Sequence, residues 1–366
     1  MNTNTNTELF PKVVGQNVAK RRLAFYLKNY RASQIMPHLM FIAPKGCGKT
    51  MMAKAMGSKM MKSSGEKAKT FLEINCSSVK NLKQFVNQIL VPHVHGKECT
   101  ILLDEASELP KDVEMALLTM INPNDENRTS FSYEDYVIDF NFRRQSFMFA
   151  TTEAHSIFHA LMDRCERVDL EEYSYDELGE IVGRICEGKT FEDGLLPEIA
   201  TVLRGNARAA QKMSTHITSY LASVNREHFS RKDWKFLSFS LGVLPLGLSR
   251  IELQILRLLE EKKECSLTLL ASKTGLTRAC LQQDFEMFLQ KNNLMEIGRG
   301  GRELTKVGQD YLKNIDKYLE DIKTVGTEQR EENAIAFAAA LQPLVATKIV
   351  LPTRINLPSG TEVATT

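Results

Sequence analysis

The sequence predicts an α/β fold: a parallel-sheet domain built around a phosphate loop, then an all-helical segment, then a small winged helix. Three observations predict it. An apolar run over 39–42 leads into a loop bearing Gly46 and Gly48, and Lys49 and Thr50 open a stretch of good helix formers. A second apolar run, over 99–103, ends in the paired carboxylates Asp104 and Glu105. Later, two helical patterns joined at Thr274 and Gly275 precede short strands around a tip bearing Arg299 and Arg302, the order of a winged helix.

The loop carries the chemistry. Successive backbone N–H groups must converge on a polyphosphate, and glycine adopts the required conformations without steric cost. The spacing follows G-x-x-x-x-G-K-[ST], with Ala43 in the first glycine position. Lys49 then reaches the β- and γ-phosphates, the Thr50 hydroxyl suits Mg²⁺, and the following helix adds a favourable dipole. Asp104 at a strand's carboxyl end belongs near the metal's water shell, and Glu105 suits orienting and deprotonating an attacking water. These residues together call for ATP and Mg²⁺.

Composition bounds the rest. A chain of 366 residues predicts two or three domains. Lys and Arg number 47 against 45 Asp and Glu, so no global basic field exists and any nucleic-acid surface must be local. Seven scattered cysteines without a C-x-x-C pair argue for a reducing compartment, with neither a disulfide framework nor a zinc site. No secretory leader or bilayer-length apolar run is present, so the expectation is a soluble, cytoplasmic protein without a membrane partner.

Taken in order, residues 1–9 read as a disordered lead. Helical patterns cover 18–30, 79–90 and 110–120, and strands cover 70–75, 99–105 and 146–152. Residues 130–142 alternate polar and large apolar side chains about Glu134 and Asp135, which predicts a β-hairpin. Its aromatics, Phe131, Tyr133 and Tyr136, either pack on the domain or face a partner. Strands alternating with helices imply a parallel sheet with ligands at its carboxyl ends. From 174 to 233 the pattern is all helix, with Gly205 placing Arg208 on the first turn of the last one, and 237–247 marks a boundary.

Helices over 249–262, 266–273 and 277–292 then precede strands over 294–297 and 303–305. Thr277, Arg278, Gln282 and Gln283 suit a DNA groove, and Arg299 and Arg302 suit phosphates or a minor groove. A winged helix that binds only protein is the alternative. Beyond Tyr311 the sequence reads as a charged helix to about Thr324, an Ala-rich helix over 331–341 and a mobile tail over 345–366.

Several motifs occur in a telling order: Val14-Gly15-Gln16, Ala43 to Thr50, Leu103-Asp104-Glu105, Phe149 to Thr152, Asp163-Arg164, Gly205 to Arg208, Gly247 to Ser249 and Arg299 to Arg302. The set resembles the RuvB family of AAA+ motors, which drive branch migration of Holliday junctions. The resemblance spans 10–312. It implies an AAA+ P-loop ATPase domain with a parallel sheet over 10–171, an all-α lid domain over 172–240 and a C-terminal winged-helix domain over 245–312. A helical extension and tail occupy 313–366, and beyond about residue 316 the chain has no counterpart in the family.

The resemblance also implies roles. Gly46, Cys47, Gly48, Lys49, Thr50 and Met51 take the place of the Walker A loop and the helix start behind it, and Asp104 and Glu105 that of the Walker B pair. Thr152 resembles the sensor-1 residue that helps place water. Arg164 resembles the arginine finger that reaches a neighbouring subunit's γ-phosphate, with Arg167 as the alternative. Arg208 resembles the sensor-2 arginine, and Val13 and Val14 the residues lining the adenine pocket. The implied partners are double-stranded or junction DNA, further copies in a ring of hexamer type, and a RuvA-like protein at the 130–142 hairpin.

This sequence departs from the family at three places. Asp-Glu-Ile-His-Arg becomes Asp104-Glu105-Ala106-Ser107-Glu108, the arginine after the sensor threonines becomes Glu153, and the phenylalanine after the finger becomes Cys165. None removes a catalytic group. The reading is therefore an ATP-driven DNA motor, with an AAA+ loader-type switch and a non-hydrolysing DNA-binding scaffold as alternatives.

Overall fold

The computed structural model describes residues 9–122 and 124–320. They form two compact units. The first runs to Ser230 and includes Leu244–Ser249; the second holds Arg231–Val243 and the chain from Arg250 onward. The expectations for residues 1–8 and for the tail beyond 320 lie outside the described residues.

The first unit is organised by seven strands: β1 (Leu39–Ile42), β2 (Thr70–Asn75), β3 (Cys99–Asp104), β4 (Arg128–Tyr133), β5 (Tyr136–Asn141), β6 (Gln145–Thr151) and β7 (Glu166–Asp169). Five of them form one parallel sheet in the order β2-β3-β6-β1-β7. β3 and β6 are almost wholly buried, as strands covered by helices on both faces must be, and their apolar runs were legible for that reason. β7 was not expected. It is an edge strand in which only Val168 is buried among charged residues, so it carries no strand signal.

The helix expected over 79–90 starts later and runs further. Asn81 accepts a hydrogen bond from Gln84 N and so caps a start at Leu82, and the run continues through Pro92 in a π-type stretch, Phe85–Val94. β4 and β5 form the predicted hairpin, turning at Glu134 (φ +47°) and Asp135. The two faces answer the question about its side chains. Ile138 and Phe140 are buried, and Phe131 and Tyr133 pack partly against the same core, whereas Tyr136 and Val137 remain 42% and 60% exposed.

The sheet's carboxyl ends are approached by the helices Tyr175–Ile185 and Ala207–Ser223, the first closed by a capping box between Ser174 and Glu177, while Leu195–Ala200 packs against the first through Leu196 at Gly179 and Gly183. The expectation of helix alone misses a small feature. β8 (Thr190–Phe191) and β9 (His228–Phe229) pair in parallel, two residues each, too short to show a period. Gly247, at φ +69°, lies so near Val202 O that a Cβ would approach it to 2.2 Å. Its own carbonyl accepts from Arg204 Nε at 2.8 Å, which seats the 244–249 stretch on this unit.

In the second unit, the boundary expected from residue 237 is corrected: a helix runs Arg231–Leu241, burying Trp234 and Leu237, and the chain breaks only after it. Helices Arg250–Lys262 and Leu267–Thr274 follow, then a helical run over 278–291 whose middle, Leu281–Glu286, is π-type. β10 (Glu264–Cys265), β11 (Met295–Ile297) and β12 (Arg302–Leu304) form an antiparallel sheet in the order β10-β12-β11, one strand more than the sequence suggested. From Lys306 a further helix begins, burying Leu312 and Ile315, and Asp316 pairs with Arg257 at 2.6 Å.

His38 precedes β1, buried edge-on against the rings of Phe142 and Phe147 at centroid distances of 4.9 and 5.7 Å. Nδ1 has no hydrogen-bond partner among the described residues. Burial holds its pKa down at about 4, against an ordinary 6.5. An unfolded chain takes up a proton on His38 as pH falls through about 6.5, and the folded chain does so only near 4, so stability drains away as pH falls across that window. The loss at pH 5 is about 2 kcal/mol. His38→Leu should remove this part of the acid sensitivity, read as a smaller drop in urea midpoint between pH 7 and pH 5; an unchanged drop assigns the sensitivity to other groups.

Candidate active site

The loop between β1 and the helix Lys49–Gly57 has the shape its glycines permit. Gly46 and Gly48 sit at φ +84° and +90°, the left-handed region. Ala43 does not, so the missing first glycine costs the backbone nothing; its N–H bonds to Thr151 O at 3.3 Å across the sheet. Thr50 Oγ1 donates to Asp104 Oδ2 at 2.6 Å, and Asp104 Oδ1 accepts the N–H of Glu105 at 3.0 Å. Glu105 itself adopts φ +56°.

Lys49 Nζ bends back on its own loop, donating to the carbonyls of Ala43 and Pro44 at 2.8 and 3.2 Å. Burial pushes its pKa below the lysine range; Asp104 and Glu105 act against that shift and Arg208 reinforces it. An arriving polyphosphate supplies the negative charge this half-buried ammonium lacks.

The last helix of the unit closes over the loop. Ala207 N donates to Gly46 O at 3.1 Å, and Asn206 Nδ2 to Lys45 O at 3.3 Å. Asn206 Oδ1 meanwhile caps the helix, accepting from the N–H groups of Arg208 and Ala209. From the side, the Tyr173 hydroxyl donates to Cys47 O at 3.4 Å, and burial lifts that phenol to about 12, so it stays protonated.

Together these elements enclose a cavity of about 510 Å³. Of the residues predicted from sequence, Val14, Gly46, Gly48, Lys49, Thr50, Met51, Asp104, Glu105, Thr152 and Arg208 line it. Val13 and Cys47 do not: both are buried in the core behind it, and Val13 O accepts from Lys20 Nζ at 2.6 Å. Arg164 is also outside. Its Nη1 donates to Ala160 O at 2.7 Å and its Nη2 to Asn122 Oδ1 at 3.2 Å. Arg167 is bound to Asp169 on its own strand at 2.7 Å.

Sequence reasoning missed Lys12, Tyr173, Ile181, Arg184 and Ile185, which also line the cavity. The signal for the last was partly available: Ile185 continues the apolar stripe of Leu178, Ile181 and Val182 and yet is 45% exposed. Arg184 joins that helix to the entry segment through Nη1 to Pro11 O at 2.9 Å. Gln16 does likewise, exchanging hydrogen bonds with the backbone of Glu171 at 2.7 and 3.0 Å.

In the second unit, Arg278 stands exposed just after Thr277, whose hydroxyl caps the helix, and Arg299 is exposed at the tip. Arg302 is a correction. It makes a two-pronged ion pair with Glu286, Nε–Oε1 2.8 Å and Nη2–Oε2 3.1 Å, with side chains only 13% and 3% exposed. Releasing it would strand a buried carboxylate, so it braces the wing strand against the helix and is not free for a phosphate.

Comparison with known proteins fits this arrangement. A model of the ATPase family associated with various cellular activities (AAA) matches residues 39–173, and a model of the RuvB C-terminal winged helix domain matches 245–313. The chain thus carries a domain that matches the AAA ATPase model and, after it, one that matches the RuvB winged helix. It is 22% identical to the Holliday junction branch migration complex subunit RuvB of Mycoplasma pneumoniae over 83% of this chain and 96% of that one. The RuvB of Campylobacter lari is 24% identical over 83% and 90%. The solved Thermotoga maritima RuvB Holliday junction branch migration motor superposes with a TM-score of 0.65 at 21% identity, covering 82% of this RuvB-like chain and 95% of that one.

The nucleotide such an ATPase binds fits the cavity by its chemistry. The loop backbone is shaped for an anion, and Thr50 and Asp104 are joined where a cation would stand. Among the described residues no cluster of three His, Cys, Asp or Glu could hold a metal by itself. Gly46→Ala tests the shape of the loop, because a Cβ there would come within 2.0 Å of Asn206 Oδ1 on a backbone at φ +84°. Affinity for a fluorescent ATP analogue should fall about tenfold or more, with circular dichroism unchanged. Wild-type affinity would mean that the loop and the helix start are not in register as described.

Proposed function

We propose that this chain is an ATP-driven motor that moves duplex DNA through a ring of its own copies and thereby drives branch migration of Holliday junctions. The observation that carries the reading is the single cavity shared by Lys49, Thr50, Asp104, Glu105, Thr152 and Arg208, in a chain that also has a RuvB-type winged helix. The division into a large ATPase domain (10–171), a lid (172–240), a winged helix (245–312) and an extension belongs to the same reading, as does action in the cytoplasm. Among the described residues no single helix is long and apolar enough to cross a membrane.

In this mechanism Lys49 exchanges its two loop carbonyls for β- and γ-phosphate oxygens. Mg²⁺, when bound, offsets the phosphate charge, with Thr50 and Asp104 as its protein ligands, mainly through water. Glu105 orients the attacking water and takes its proton, and Thr152 at the end of β6 hydrogen-bonds the same water. Arg208 contacts the γ-phosphate from the lid of its own subunit, so hydrolysis alters the hold of that helix on the loop. Arg164, outside its own cavity, serves a neighbour's; an arginine supplied in trans contributes on the order of 10³–10⁵ in rate in related phosphoryl transfer. That requirement makes a closed ring, of hexamer type, the working form.

Arg278 and Arg299 contact DNA phosphates, and the exposed Tyr136 and Val137 of the hairpin offer a small apolar surface to a RuvA-like partner. The test is ATP hydrolysis with a four-way junction, linear duplex or no DNA, with a labelled junction followed in the same tubes. DNA should stimulate turnover, Glu105→Gln and Arg164→Ala should each abolish it, and only the wild type should move the junction. ATP-promoted assembly without junction movement would instead assign a loader-type switch.

A further inference from the structure

Arg164 is held by two contacts of different origin. One is local: the Ala160 carbonyl belongs to the short helix His159–Met162, four residues back on the same segment. The other comes from 42 positions away, the side chain of Asn122. A guanidinium is a rigid plane of donors, so one anchored nitrogen leaves the plane free to swing and a second one sets its direction. Nε, buried, has no hydrogen-bond partner among the described residues. The guanidinium is therefore held in one direction by its two anchored nitrogens.

Asn122 is well placed to do the aiming. It follows the helix Lys111–Met120, whose last turn is anchored by the fully buried Ile121, its N–H bonded to Leu117 O. That helix starts just beyond the turn that leaves Asp104 and Glu105, where Glu108 N bonds to Glu105 O. The Asn122 side chain is exposed and does not line the cavity of its own subunit. Its substitution should leave folding and nucleotide binding in cis intact.

We propose that Asn122 is the positioning residue of Arg164, setting the direction in which the guanidinium is presented to the nucleotide of a neighbouring copy. The inference rests on the finger role given to Arg164 above. Asn122→Leu removes the acceptor at similar volume, and Asn122→Asp keeps it.

In DNA-stimulated ATP hydrolysis by the full chain, Asn122→Leu should lower kcat about tenfold with the KM for ATP unchanged. Asn122→Asp should retain the wild-type kcat. Wild-type turnover by Asn122→Leu, or equal losses in the Leu and Asp variants, would each overturn the assignment of Asn122. Wild-type turnover by Arg164→Ala alone would overturn the finger reading itself, and this inference with it.

Discussion

The hydrogen bond from Thr50 to Asp104, 2.6 Å long, is the contact on which the site depends. It joins the start of the helix after β1 to the end of β3, two strands that are not neighbours, since β6 lies between them. The bond can form only if the parallel register is right. β3 pairs with β6 from Cys99↔Gln145 to Asp104↔Ala150, and β1 pairs with β6 through Ile42↔Thr151. A shift of one residue would turn every side chain to the opposite face and separate hydroxyl from carboxylate. The buried sheet exists, functionally, to hold this pair.

Around that pair the site is closed by elements distant in sequence. Gln16 grips the Glu171 backbone, Arg184 the Pro11 carbonyl, and Asn206 both the loop and its own helix. Each is a polar side chain satisfying backbone groups that a loop would otherwise leave to water. The cavity is thus built from the sheet's carboxyl ends and from a helical cover whose attachment is a handful of hydrogen bonds, suited to rearrangement as a phosphate is gained or lost.

What could be read from sequence follows from how each element is stabilised. β1, β3 and β6 are buried on both faces, and their composition says so; the phosphate loop is constrained by backbone geometry that few residues satisfy. β7, β8, β9 and β10 were illegible because they are short or charged and owe their existence to pairing, not to propensity. Arg302 was misread for a related reason. An arginine at a wing tip looks like a phosphate ligand until the position of Glu286, 16 residues away, is known. Tyr173 and Arg184 reach the cavity only through the tertiary placement of the lid, which no local pattern encodes.

Completion of the site by a second copy can be tested by mixing two inactive variants. On the roles proposed for them, Glu105→Gln subunits lack the water-activating carboxylate but carry an intact finger, and Arg164→Ala subunits have the reverse defect. Rings assembled from both contain interfaces at which an intact Glu105 faces an intact Arg164. Each variant alone should be inactive, and their mixture should regain ATP hydrolysis, greatest near equal proportions. A mixture as inactive as its components would contradict it and place Arg164 in the service of its own subunit.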